Sequence, residues 1–315
     1  MNCTVSLHTH LEGSIRPATF YELMGEDAKE KLTVTKNCSS LKEFLDKIAY
    51  GYPLTQKRAN ITRVAYECVE TASKNDCLYL EVRFGPTLHT TGDMQLPDTI
   101  EAVLEGLQKG EKDFGTVARL IISTLRHATP ESSIELAKLA VQYKNQGVVG
   151  FDIAGDEANF PAYNHHKAFE IAKLGGLGIT VHAGEAGIAA NVAEAILELG
   201  ATRIGHGIRV VDDPKVVTLA KARGVVFEVC PTSNLHTGAV DSLEEHPLKE
   251  MVEEGLLVTI NDDDPETSQI SLRNEYDLAL ELLENKLSRK QLLENALRAS
   301  FVEEKVKNHL LTVIR

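Results

Sequence analysis

No C-x-x-C pair and no even set of cysteines occurs in this chain of 315 residues; Cys3, Cys38, Cys68, Cys77 and Cys230 are odd in number and scattered. That pattern argues against a disulfide framework and fits reduced thiols in a cytoplasmic protein. No dense Lys/Arg run occurs either, and Lys+Arg 33 against Asp+Glu 46 leaves a formal net charge of -13. Such a surface repels phosphate backbones and anionic lipid, so neither nucleic acid nor a membrane is expected as a partner. Met1–Leu7 has no basic segment or apolar core of signal-peptide length, and no stretch is long enough to span a bilayer. Pro/Gly/Ser-rich linkers, repeats and low-complexity tracts are also missing, so residues 1–315 are expected to form one domain. The composition leaves monomer and homo-oligomer equally open.

What is present is an alternation. Apolar, β-branched runs recur at Cys3–Leu7, Leu78–Phe84, Ala118–Leu125, Val148–Ala154, Ile179–Val181, Thr202–Ile204, Val225–Val229 and Leu256–Ile260. Helical patterns lie between them; Asn191 reads as an N-cap ahead of the stripe Val192, Ala195, Ile196 and Leu199. Eight strands alternating with helices predict an α/β fold, a (β/α)8 TIM barrel. A doubly wound open sheet is the alternative, but Gly205-His206-Gly207 lacks the third glycine and the immediate helix of its phosphate turn. The first crossover, Leu7 to Leu78, is long enough for several extra helices inserted after strand 1. One is marked by Ser40 and Glu43 as a capping box and by the stripe Leu41, Phe44, Leu45 and Ile48. The stripe packs on the barrel in the ordinary reading and covers its mouth as a lid in the functional one. Ser288–Arg315 reads as closing helices.

Polar residues cluster where strands end. His8 and His10, two apart on a strand, point to the same side. A single buried histidine is most often a hydrogen-bonded core residue, but two adjacent inward imidazoles are costly unless a metal satisfies both. His182 follows the fifth run, with Glu185 three residues on, a spacing that suits a ligand beside a proton-transferring carboxylate. His206 ends the sixth run between glycines that allow close backbone approach. Asp263 and Asp264 follow the eighth, where crowded carboxylates raise one another's pKa unless a cation intervenes. All of these fall at the C-terminal ends of strands 1, 5, 6 and 8, the barrel face on which active sites are built. Nitrogen-rich ligation with one carboxylate favours one Zn2+ per chain, with Fe, Co and Mn as alternatives. The fourth run ends without a lysine, which argues against a carbamylated two-metal centre.

In order along the chain, His8-Thr9-His10-Leu11-Glu12-Gly13-Ser14, Asp152-Ile153-Ala154-Gly155-Asp156-Glu157, Val181-His182-Ala183-Gly184-Glu185, Arg203-Ile204-Gly205-His206-Gly207, Cys230-Pro231-Thr232-Ser233-Asn234 and Asn261-Asp262-Asp263-Asp264-Pro265 resemble the adenosine deaminase family of metal-dependent hydrolases. The resemblance implies that His8, His10, His182 and Asp263 hold zinc and that Glu185 protonates purine N1. It further implies that His206 and Asp264 orient and deprotonate the water that attacks C6, giving inosine and ammonia. By the same resemblance the purine nucleoside is met by His10, by the Gly155 backbone at N3, by Asp264 at N7 and by Glu12 at the ribose. Glu81-Val82-Arg83-Phe84-Gly85-Pro86 with His89 looks like the adenosine branch and reads as framework. Two departures stand out: Glu12 replaces a frequent Asp, and Asp262 replaces a usual Thr, adding a carboxylate expected beside the metal.

The alternative substrates are adenine and modified adenine nucleosides such as methylthioadenosine or an aminated futalosine. A base-flipping nucleic-acid deaminase lacks support, because its H-x-E…P-C-x-x-C signature is absent. A non-catalytic barrel descended from an enzyme would have lost ligands or Glu185, and all are present. The other histidines, His89, His127, His165, His166, His236, His246 and His309, read as structural or surface groups.

Overall fold

Eight buried, β-branched segments have only each other to pair with, and in the computed structural model they do so in sequence order as a parallel TIM barrel. The structure describes residues 2–34, 38 and 40–314. Met1 and Arg315, the outer ends of the expected domain and of its first and last segments, lie outside the described residues.

The strands are β1 (Thr4–His10), β2 (Cys77–Phe84), β3 (Val117–Leu125), β4 (Val148–Ala154), β5 (Gly178–Ala183), β6 (Arg203–His206), β7 (Val226–Val229) and β8 (Leu257–Ile260). Closure between β8 and β1 is made beyond β8: Asp263 N–H donates to the His8 carbonyl at 2.9 Å and His10 N–H to the Asp263 carbonyl at 2.7 Å. Helices on the outside cover the apolar outer face of each strand. They include α1 (Pro17–Met24), α2 (Lys29–Leu32), α3 (Leu41–Ala49) and α4 (Arg58–Lys74) in the first crossover. Then follow α5 (Leu96–Phe114), α6 (Pro130–Gln142), α7 (His166–Leu174), α8 (Ala189–Leu197), α9 (Pro214–Arg223), α10 (Pro231–His236) and α11 (Leu248–Glu253). The series ends with α12 (Pro265–Ser268), α13 (Leu272–Leu282), α14 (Arg289–Ala299) and α15 (Glu304–Val313), so the tail is helical as expected.

Three local differences from the sequence reading have physical causes. The first strand runs on from Leu7 to His10, because His8-Thr9-His10 is polar yet buried and paired, and polarity hides a strand from a hydrophobic count. The β1/β2 register also shifts between Ser6 and Thr9, a bulge that brings these two hydroxyls within 2.9 Å of each other despite their odd spacing. Asn191 is no cap: α8 begins at Ala189 behind Ile188, and the Asn191 amide donates instead to Glu157 at 3.0 Å. Ser40 does cap α3, accepting from Glu43 N–H at 3.3 Å. Phe44 and Ile48 of the α3 stripe pack with Val34 and Cys38 in a small cluster separate from the main core. The same stripe roofs the cavity at the barrel mouth, so it packs and covers at once. No helix among the described residues is long and apolar enough to cross a membrane.

Candidate active site

Strand ends leave backbone and side chains free to face a common space, and here that space is a cavity of about 410 Å3 at the C-terminal mouth of the barrel. His10, Glu12, Gly155, His182, Glu185, His206, Asp263 and Asp264 line it, and His8 lies just beneath, fully buried. His206 and Asp263 take the left-handed backbone conformation, with φ of 59° and 55°. Such strain turns a side chain out of the strand's regular alternation. Gly205 permits close packing: a Cβ there would stand 2.9 Å from the His8 ring, so any larger residue would press on that imidazole.

Two overlapping sets of ligand atoms converge, His8 with His10 and His182, and His8 with His206 and Asp263, each within 4.8 Å. His8 Nε2 is 3.2 Å and His10 Nε2 is 3.4 Å from Asp263 Oδ1, while His10 and His182 bring their Nε2 atoms to 3.1 Å. The orientation of the rings is imposed from behind. Glu228 faces His8 Nδ1 at 2.9 Å and Asp152 faces His182 Nδ1 at 3.0 Å, so both rings donate backwards and present Nε2 lone pairs forwards. His8 Nε2 and Asp263 Oδ1 are buried with no hydrogen-bond partner. Facing lone pairs and an unpartnered carboxylate oxygen suit a divalent cation.

Glu185 and Asp264 flank this cluster on the cavity side. Burial raises the Glu185 carboxyl, with Asp263 and Glu157 adding to the shift against the His206 ring. Burial pushes Asp264 well above the usual carboxylate range, and Asp263, Glu12 and Glu185 reinforce it. A buried carboxyl that holds its proton more tightly than usual, beside converging imidazoles, is an arrangement suited to hydrolysis.

The adenosine deaminase family profile matches residues 4–315. An adenosine deaminase of Clostridium acetobutylicum is 40% identical, over 98% of this chain and 95% of its own length. The chain belongs to the adenosine deaminase family. A second relative, from Enterococcus faecalis, is 37% identical over 95% of this chain and 91% of its own, and is also an adenosine deaminase. Among solved structures, an adenine deaminase from Arthrobacter aurescens superposes with a TM-score of 0.89 at 29% identity, covering 99% of this chain and 97% of that one. An Arabidopsis N6-mAMP deaminase superposes with a TM-score of 0.88 at 30% identity and the same coverage.

Around these groups, further carboxylates hold the backbone of the site in place. Glu157 accepts from the backbone N–H groups of Gly184, Glu185, Ala186 and Gly187 at 2.5, 3.0, 3.1 and 3.0 Å, pinning the turn that carries Glu185. Glu12 Oε1 accepts from Gly85 N–H at 2.8 Å and faces His89 Nε2 at 3.0 Å, so the segment read as framework positions a cavity carboxylate. Asp262 differs from expectation: it accepts from Ser6 at 3.0 Å and Thr9 at 2.5 Å and borders a small void with Cys68 and Pro265, facing away from the main cavity. The bulge in β1, which presents both hydroxyls to the outside, is the reason.

Asp263 Oδ2 accepts from Ser233 at 2.6 Å, and the start of α10, which carries Ser233, is anchored by Glu275, which accepts from the Thr232 N–H at 3.1 Å and from its hydroxyl. Burial lifts Glu275 from 4.5 to about 7. The folded chain therefore holds this proton more tightly than the unfolded one. Stability from this group is present at low pH and is lost as pH rises from about 4.5 through about 7, amounting to roughly 3 kcal/mol. Glu275→Gln, which can still meet both Thr232 groups, should raise the urea midpoint at pH 8 and flatten its decline between pH 5 and 8. A variant whose decline matches the wild type would show that another group titrates.

Proposed function

We propose that this protein hydrolyses adenosine and 2′-deoxyadenosine to the corresponding inosine and ammonia, as one cytoplasmic barrel domain carrying one zinc ion. The observation that carries the reading is the pair of buried, unpartnered atoms His8 Nε2 and Asp263 Oδ1, flanked by a buried Glu185 at the floor of an open cavity. His8, His10, His182 and Asp263 would hold the ion. When bound, zinc supplies Lewis acidity that takes the pKa of a water from 15.7 to about 7.

This chain's residues supply the remaining chemistry. Glu185 would give its proton to purine N1, drawing electron density away from C6 as water adds there. His206 and Asp264 would orient that water and take one of its hydrogens, which would pass to the amine as the bond from C6 to the amine nitrogen breaks and ammonia leaves, while the hydrogen left on the C6 oxygen would return to Glu185. The Gly155 backbone would meet N3, Asp264 would meet N7, and His10 and Glu12 would border the ribose.

Charge supports a nucleoside over a nucleotide. The cavity is lined by Glu12, Asp46, Asp156, Glu157, Glu185, Asp263 and Asp264, and by no Lys or Arg among the described residues. A substrate phosphate would enter that field unpaired, at several kcal/mol. The curated relatives at 37–40% identity are adenosine deaminases, whereas the adenine and N6-mAMP deaminases stand at 29–30%. The five free thiols support the cytoplasmic assignment. An ultraviolet assay of the zinc-loaded protein should give the highest kcat/KM with adenosine, above adenine, methylthioadenosine and aminated futalosine. N6-methyl-AMP should trail by about 100-fold or more. Negligible adenosine turnover beside any of the others rejects the substrate assignment.

A further inference from the structure

Behind His206, outside the cavity lining, runs a hydrogen-bonded chain that begins at a main-chain amide. Leu248 N–H, at the start of α11, donates to His246 Nδ1 at 3.1 Å. A backbone amide has a fixed proton, so His246 Nδ1 is an acceptor and the imidazole proton is on Nε2. His246 Nε2 lies 3.2 Å from Asn234 Oδ1. That contact fixes the amide, because the reverse orientation would set the Asn234 NH2 against the His246 N–H. Asn234 Nδ2 consequently points at His206 Nδ1, 3.1 Å away. The amide proton occupies that nitrogen's lone pair, and His206 has only Nε2 on which to carry its own.

We propose that His246 and Asn234 are positioning residues that hold His206 as the Nε2–H tautomer, so that it donates a hydrogen bond into the cavity instead of taking a proton there. The proposal rests on the deaminase reading above and sharpens it, dividing the orienting of the water from its deprotonation. His206 Nε2 is the atom that faces the reaction space, 3.6 Å from Glu185 Oε2 and 3.7 Å from Asp263 Oδ2. To act as a base in this tautomer, His206 would have to accept a proton at Nδ1, where the Asn234 NH2 already stands. The same amide lies 3.4 Å from Glu185 Oε1, which also accepts from the Thr237 hydroxyl at 3.0 Å. With Oε1 facing two donors, Oε2 is the oxygen left to carry the Glu185 proton.

The relay is sealed from solvent: Asn234 is fully buried and His246 is 5% exposed. Burial lowers His246 to about 4, with the nearby His206 ring adding to the shift, so the relay keeps one proton arrangement across the neutral range. Neither residue belongs to a ligand set, and neither lines the cavity.

The direct test is 15N correlation spectroscopy of the zinc-loaded protein labelled at histidine, with His206 assigned from a His206→Gln variant. The expected result is a proton on Nε2 and an unprotonated Nδ1 at neutral pH. A proton on Nδ1 overturns the proposal, and this readout needs no turnover, so it fails separately from the substrate assignment. Asn234→Asp replaces the donor by an acceptor and should move the His206 proton to Nδ1. Because an inverted tautomer removes the interaction made in the transition state, kcat for adenosine should fall about 10²- to 10⁴-fold while KM stays within about threefold. A folded, zinc-loaded Asn234→Asp protein with kcat within twofold of wild type overturns it. His246→Phe, which frees the amide to rotate, should give mixed His206 tautomers and a smaller loss of kcat; a wild-type His206 spectrum in that variant removes His246 from the relay.

Discussion

Glu185→Gln should lower kcat for adenosine by about 10²- to 10⁴-fold, the contribution of a positioned proton donor, with KM changed only a few-fold. Gln keeps the size of the side chain and can still accept from Thr237, so the turn held by Glu157 should survive. Zinc content should be unchanged, since Glu185 is in neither set of convergent ligand atoms. The pH dependence sharpens the test. Burial raises the Glu185 carboxyl, and activity needs its protonated form, so wild-type activity should be lost as pH rises through that raised value. The glutamine variant should lack this alkaline limb. Turnover equal to wild type would remove Glu185 from the proton path.

Much of the barrel and most of the cluster can be read from the chain, for reasons that differ by residue. The runs of β2, β3 and β4 are visible because strands buried on both faces are mostly apolar, even with Glu81, Arg83 and Asp152 among them, and Val148–Ala154 has the same bounds in sequence and structure. His8, His10, His182, His206 and Asp263 are visible because imidazoles and carboxylates at strand ends are expensive to bury for any purpose but a shared one. The extension of β1 to His10 is hidden by the same polarity that makes those residues informative. Asp262 shows the limit of arguing from adjacency. One residue from Asp263, it points the other way, and only the bulge between Ser6 and Thr9 reveals what it serves.

Residues that act through others leave no spacing behind. Glu157, His89, His246 and Asn234 are separated from the groups they hold by stretches of irregular length. Glu157, Asn234 and His89 fall in or beside stretches that carry the family resemblance, but nothing in those stretches says which group each one holds, and His246 reads as an ordinary core or surface polar residue. Their common signal is complementarity: a carboxylate facing four backbone N–H groups, or an imidazole ring between a fixed donor and an amide. That signal exists only once the loops at the barrel mouth have coordinates.

Arg83 is the strongest case, and replacing it should cost the most stability. One guanidinium donates through NH2 to Glu228 at 2.6 Å and the Leu7 carbonyl at 2.7 Å, and through NH1 to Asp152 at 3.1 Å. Glu228 and Asp152 are the two carboxylates that turn His8 and His182, so one cation stands behind both rings. All three charged groups are fully buried. Burial alone would drive both carboxyls toward their neutral forms; His182 and Arg83 beside Asp152, and Arg83, Arg203 and His8 beside Glu228, hold them below the usual carboxylate range. Arg83→Met leaves Asp152 with no guanidinium and Glu228 with Arg203 alone, at roughly 3–5 kcal/mol of folding stability. Carboxylates that gain protons stop accepting from the Nδ1 atoms, and the loosened rings should weaken zinc binding by about 10- to 100-fold. Arg83→Lys restores the charge but cannot fork to both partners, so its urea midpoint and zinc affinity should fall between those of wild type and Arg83→Met. If Arg83→Lys holds zinc and resists urea as wild type does, charge alone suffices and the bridging geometry contributes nothing.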